Sequence, residues 1–254
     1  MFFYYCFSDK FGYDQICRDE QEYGKSGDLL EANGSYFIAL GQDISWKNMY
    51  TWSNARFQMH NVQVCATLFG KQTLQLIHWM VYQYYTSYRS VIHLFVGDIM
   101  QYLKSLQKAK TMKGKDRTAH AYYNTIIPQQ WTSAIDAQSL LSLSHDPGIK
   151  QTLVVFPDLL SLRHRIQDID YILNGQDSMS RVMKYYHDLQ HSYKNILITT
   201  SANIFMDYKN LSQIICYFPE TRYYKSQQNP RYYVPEILDK MKIIRKTNLI
   251  LINI

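Results

Sequence analysis

The residues best suited to chemistry in this chain are cations set among aromatics. Tyr224-Lys225, Gln227 and Pro230-Arg231-Tyr232 interleave the two types, and proteins that hold single-stranded nucleic acid combine phosphate-neutralising cations with rings that stack on bases. Twenty-three tyrosines occur along the chain, so aromatic neighbours are expected anywhere. Packing is therefore the expected role of Tyr224 and Tyr232, and phosphate contact that of Lys225 and Arg231. A second group, Lys104, Lys108, Lys110, Lys113, Lys115 and Arg117, gathers around Gly114. Two readings of it weigh equally: a track for phosphates, each adding a salt-dependent increment to affinity, or a solvated basic linker. Lys71, after Gly70, completes the set of candidate DNA-contacting cations.

Other chemistries have weaker support. A triphosphate cradle needs glycines, so that backbone N–H groups reach the phosphates, and a lysine for the outer oxygens. Gly70-Lys71-Gln72-Thr73 lacks the earlier glycine at the required spacing and precedes a run that reads as a strand, so a turn is expected there. His187 and His191 stand four apart, but no third ligand or H-E-x-x-H glutamate accompanies them, and His60 and His78 add no ligand spacing, so no metal is expected. Ser144-His145-Asp146 is contiguous, unlike a catalytic triad assembled in space, and reads as a turn. Cys6, Cys17, Cys65 and Cys216 are widely separated with no C-x-x-C pair. That spacing argues against a zinc ribbon and for reduced thiols in the cytoplasm.

The elements that must position these residues follow from the apolar pattern. Residues 1–34 show no sustained period and read as a loosely ordered leader. Residues 35–100 hold strand-like runs at Tyr36–Leu40, Met49–Trp52, Val62–Leu68 and Leu74–Val81, a small β-rich module. Asp98–Gln107 reads as a helix, and residues 101–117 as a basic linker. From residue 118 the pattern becomes α/β: a helical Trp131–Leu143, the apolar strand Thr152–Phe156, helices over Leu159–Ile172 and Ser178–Leu189, and strands at Asn195–Thr199, Gln213–Cys216 and Leu249–Ile254. Strands alternating with helices imply a parallel sheet, whose functional crevice lies at the carboxyl ends of the strands.

Composition bounds the function. With 254 residues, 46% hydrophobic and 19% charged, the chain can bury a core and is not compositionally disordered. A net charge of +6 leans toward polyanionic partners. The apolar opening Met1–Phe7 is short and meets Asp9 and Lys10, so neither a signal peptide nor a membrane partner is expected.

Three segments of the α/β region carry more specific text. Leu211–Tyr232 resembles the motif II region of the primosomal protein N′ (PriA) family of replication-restart helicases, where a strand leads to an acidic box and a loop close to Ser-Tyr-Lys-Gln-Gln-x-x-Pro-Arg-Tyr. Tyr224, Lys225, Gln227, Pro230, Arg231 and Tyr232 match that loop. Ile196–Leu211 is similar to the family's strand followed by Gly-Thr-Arg-Ser-Ala-x-Phe; it keeps Thr200 and Phe205 but has Thr199 for the glycine and Ser201 for the arginine. Leu153–Leu159, with Pro157 and Asp158, resembles the strand ending in Val-Pro-Glu-Ile. Order and spacing agree across residues 150–240. Val62–Lys71, through Phe69-Gly70-Lys71, is similar to a stretch of the family's amino-terminal DNA-end-binding module.

The resemblance implies an α/β fold with a truncated RecA-like parallel sheet of the P-loop NTPase type, here over residues 118–254, behind a small β-rich DNA-end-binding domain. It also implies forked or single-stranded DNA and replication proteins as partners, and ATP with Mg²⁺ as cofactors. The cofactor residues depart from the family. Thr118–Pro147, where the P-loop should lie, contains neither Gly nor Lys, and Tyr217-Phe218-Pro219-Glu220 stands where consecutive acids would hold the metal. The expectation is a degenerate relative that binds DNA without hydrolysing ATP, with no catalytic residue, metal or cofactor. The alternatives are a fragment or subunit of an active ATP-dependent helicase and a protein-interaction scaffold that does not bind DNA.

Overall fold

The computed structural model describes residues 2–8, 15–19, 21, 23–42, 60–96, 150–165, 172–173, 177–178, 181–182, 184–185, 189 and 196–253. The chain divides into two units, Met1–Leu94 and Phe95–Ile254.

The first unit is built on a six-stranded sheet: β1 (Phe2–Phe7), β2 (Gln15–Asp19), β3 (Asp28–Ala32), β4 (Ser35–Gln42), β5 (His60–Asn61) and β6 (Gln63–Thr67), in the order β5-β2-β1-β4-β3-β6. All pairs are antiparallel except β2 with β5. The described part of residues 1–34 is thus not a loose leader. It supplies three strands, and β1 and β3 flank β4 and pair with it. What ties them down is a core that draws on the leader and the module alike: Tyr4, Cys6 and Cys17 are buried with Leu30, Phe37, Ala39 and Val62.

Two helices follow, α1 (Lys71–Gln83) and α2 (Tyr88–Val96), and the division between units falls within α2. Leu74–Val81 is therefore helical rather than a strand. Thr73, Leu74, Leu76, Ile77 and Met80 are its buried residues, a three-and-four spacing that gathers them on one side of the helix. His78 joins three elements, with Nε2 3.1 Å from the Leu40 carbonyl oxygen and Nδ1 2.8 Å from the Tyr88 hydroxyl.

The second unit carries a five-stranded sheet, all parallel: β7 (Gln151–Phe156), β8 (Ile172–Leu173), β9 (Ile196–Thr200), β10 (Leu211–Tyr217) and β11 (Asn248–Ile252), in the order β11-β10-β7-β9-β8. The expected parallel α/β sheet is present. β7 and β9 are buried at every position, which is why they read as unbroken apolar runs rather than alternating ones. Helix α3 (Leu159–Arg165) follows β7, and α4 (Val234–Arg245) joins β10 to β11. Val154, Phe156, Ile198, Ile215 and Ile252 form one core layer with Leu162 of α3. Helix α4 starts with Pro235 in its first turn and ends at Lys246, whose φ of 55° is left-handed. The expected strand at Met49–Trp52, the helices at Asp98–Gln107 and Trp131–Leu143, and the basic linker at 101–117 lie outside the described residues. Among those described, no helix is long and apolar enough to cross a membrane.

Candidate nucleic-acid interface at the carboxyl ends of the parallel strands

β7, β9 and β10 are neighbours in the sheet, so their parallel alignment brings the three resembling segments to one edge. At the end of β7, Pro157 is buried and Asp158 caps α3: one carboxylate oxygen accepts from the Ser161 N–H and the other from the Ser161 hydroxyl, both at 2.8 Å. At the end of β9, Thr200 is buried and opens a 3-10 turn over Ser201–Asn203. Phe205, also buried, follows that turn.

At the end of β10 the chain leaves the sheet through Phe218, held at a φ of 52°. The Phe218 N–H still donates to Ile252 of β11 at 2.7 Å, and its carbonyl accepts from Thr221 at 3.1 Å. A 3-10 turn over Arg222–Tyr224 and a loop to Tyr233 then return the chain to α4. The loop is closed on itself. Lys225 bridges Tyr233, the Lys225 N–H donates to Arg222 at 3.0 Å, and the Ser226 N–H donates to Tyr232 at 2.9 Å. The Tyr233 hydroxyl donates to the Pro219 carbonyl.

Within this loop the matched residues separate into two sets. Tyr224, Pro230 and Tyr232 are buried, whereas Lys225, Gln227 and Arg231 are exposed. The Tyr232 ring meets Phe205 edge to face at 5.1 Å, and burial pushes its phenol up to about 12. The Tyr224 hydroxyl faces the carbonyls of Tyr217 and Val155 at 2.8 and 3.0 Å. Burial foremost, and then the neighbouring Cys216 thiol, pushes the Tyr224 phenol well above the ordinary tyrosine value, so it remains a donor at any working pH. Tyr224 and Tyr232 pack, and Lys225 and Arg231 face solvent.

Sequence reasoning stopped short of Arg222 and Tyr223. Both are exposed, and the Arg222 guanidinium lies 5.8 Å from the Tyr223 ring centroid. The same aromatic-cation interleaving, extended two positions upstream, would have found them. Gln228 and Asn229 complete the exposed polar rim.

No protein-family model and no curated protein matches the chain.

The described strand ends offer no cluster of carboxylates for a magnesium ion. The three strand ends offer Phe156, Thr200 and Tyr217, and the Tyr217 ring stacks flat on Phe156 at 4.4 Å. Both oxygens of Asp158 are engaged by Ser161, and Glu220 is a single exposed carboxylate behind a proline. Among the described residues no group of three or more His, Cys, Asp or Glu could hold a metal ion.

Lys104, Lys108, Lys110, Lys113, Lys115 and Arg117 lie outside the described residues, as do His187, His191 and Ser144-His145-Asp146. Lys71 belongs to the other unit, as the first residue of α1. The run after Gly70-Lys71 is helical, which corrects the strand expected there. The N–H groups of Leu68 and Phe69 both donate to the Gly27 carbonyl, at 2.9 and 3.0 Å.

Proposed function

We propose that the loop from Arg222 to Tyr233 is a nucleic-acid-binding surface, and that the chain is a degenerate, RecA-like relative of the primosomal protein N′ family that binds DNA without hydrolysing ATP. The observation that carries this reading is the division of the loop: its buried tyrosines fix the backbone to the sheet, while Arg222, Lys225 and Arg231 project from that fixed backbone into solvent. Cations held in register lose little conformational freedom on meeting a row of phosphates, and the exposed Tyr223 offers a ring for a base. The contact between Phe205 and Tyr232 supports the family resemblance, because two matched positions from separate segments meet in space.

The aromatic strand ends support the loss of hydrolysis. A stacked Phe156–Tyr217 pair supplies neither the carboxylates that hold Mg²⁺ nor a group to orient an attacking water. Partners are then single-stranded or forked DNA and proteins of replication. A fluorescence-anisotropy titration with labelled single-stranded, forked and blunt duplex oligonucleotides tests the reading. Saturable binding that weakens with salt is expected for the first two, and absence of binding to all three at low salt contradicts it.

A further inference from the structure

In the parallel sheet the chain passes from β7 to β8 and β9 on one side and from β10 to β11 on the other. The two progressions part between β7 and β10, and open α/β sheets take their ligands outside the carboxyl ends of the strands at such a switch point. Here that crevice is already filled. Tyr224, fully buried, projects into it, and its hydroxyl spans the two strands by facing Val155 of β7 at 3.0 Å and Tyr217 of β10 at 2.8 Å. The residue that follows is Lys225, and through the Lys225–Tyr233 bridge and the Ser226–Tyr232 hydrogen bond the same anchor fixes the segment carrying Arg231.

We propose that Tyr224 is a positioning residue: it occupies the switch-point crevice as an intrachain plug, and its hydroxyl latches Lys225 and Arg231 in register with the sheet so that a single strand is met on the outer face of the loop. This rests on the loop being the nucleic-acid surface. A phenol that merely filled space would be replaced without consequence by phenylalanine. A latch would not, because the carbonyls of two strands would lose their shared donor and the loop would move independently of the sheet.

The test compares the wild-type chain with Y224F, K225A/R231A and the triple variant, each titrated with a labelled single-stranded oligonucleotide over a range of salt. Each phosphate contact contributes about 0.7 to the slope of log affinity against log salt on single strands. Y224F is expected to weaken binding at least fivefold and to lower that slope although no charge is removed. In the K225A/R231A background it should change affinity by less than twofold, since there is nothing left to position. Wild-type binding that Y224F leaves within twofold overturns the latch alone, as does a fivefold loss that persists in the triple variant. Absence of wild-type binding removes the interface reading, and the latch with it.

Amide exchange on the wild-type chain serves if Y224F does not fold. The Lys225 and Ser226 amides are expected to exchange as slowly as those of β10. Exchange at the rate of free surface amides overturns the proposal.

Discussion

Phe205 and Tyr232 meet edge to face, their ring planes 86° apart and their centroids separated by 5.1 Å. One follows the 3-10 turn at the end of β9 and the other closes the loop beyond β10, so the contact ties two strand ends across the intervening β7. Edge-to-face pairs contribute beyond the area they bury, and both residues are excluded from solvent.

Truncating the first of them should therefore be costly. F205A is expected to destabilise the second unit by about 3 to 5 kcal/mol, measured by urea denaturation, whereas K209A on the neighbouring exposed turn should stay within about 0.5 kcal/mol of wild type. A loss under about 1 kcal/mol for F205A contradicts the packing described.

Asp158 separates capping from ligand binding. Because both its oxygens accept from Ser161, D158A should destabilise by about 1 kcal/mol, the usual cost of a lost helix cap, and leave the affinity for single-stranded DNA within twofold. A tenfold loss of affinity at unchanged stability would instead put the carboxylate in the interface.

Alkali should unfold the protein through its buried acids. Burial pushes the Cys216 thiol up to about 11 and the Tyr232 phenol up to about 12, and raises Tyr208 and Tyr224 further. For groups whose folded value is raised, the stabilisation is complete below the unfolded value and is lost as pH climbs toward the folded one. Each such group then costs about 1.4 kcal/mol per pH unit. Urea midpoints should fall from about pH 9, where an unfolded thiol ionises, and steeply above about pH 10, where unfolded tyrosines follow. A midpoint unchanged through pH 11 contradicts the burial of these groups.

Two glycines of the first unit should respond differently to alanine. Gly27 has a φ of 95°, and a Cβ there would lie 2.1 Å from the Phe69 carbonyl oxygen. Gly34 has a φ of 72° with nothing within 4 Å of its Cβ position. G34A should cost about 1 kcal/mol for the left-handed backbone alone, and G27A at least twice that, by thermal or urea denaturation. Equal effects would contradict the close approach of Gly27 to the turn before α1.

What the sequence made legible is the buried parallel sheet. β7, β9 and β10 are covered on both faces, so they appear as apolar runs that composition alone locates. Strands whose partners lie far along the chain were hidden: nothing in Phe2–Phe7 announces that β4 will pair with it. Leu74–Val81 was ambiguous because Leu74, Ile77 and Met80 fit a helix while the mostly apolar run, broken by Gln75 and His78, also fits a strand, and the burial of one stripe decides. In the loop, the exposure of Lys225 and Arg231 was readable from residue type. The anchoring by Tyr224 was not, since its acceptors are backbone carbonyls 7 and 69 residues away, which no local pattern encodes.

The most direct test of the interface is the affinity of wild type and K225A/R231A for the same single-stranded oligonucleotide at about 50 mM and about 200 mM salt. The wild-type chain should bind at the lower salt and lose affinity at the higher, while the double variant, its fold unchanged, binds at least tenfold more weakly and with a shallower salt dependence. Equal affinities and equal slopes for the two proteins would place the nucleic acid elsewhere, and no binding by either would contradict the account.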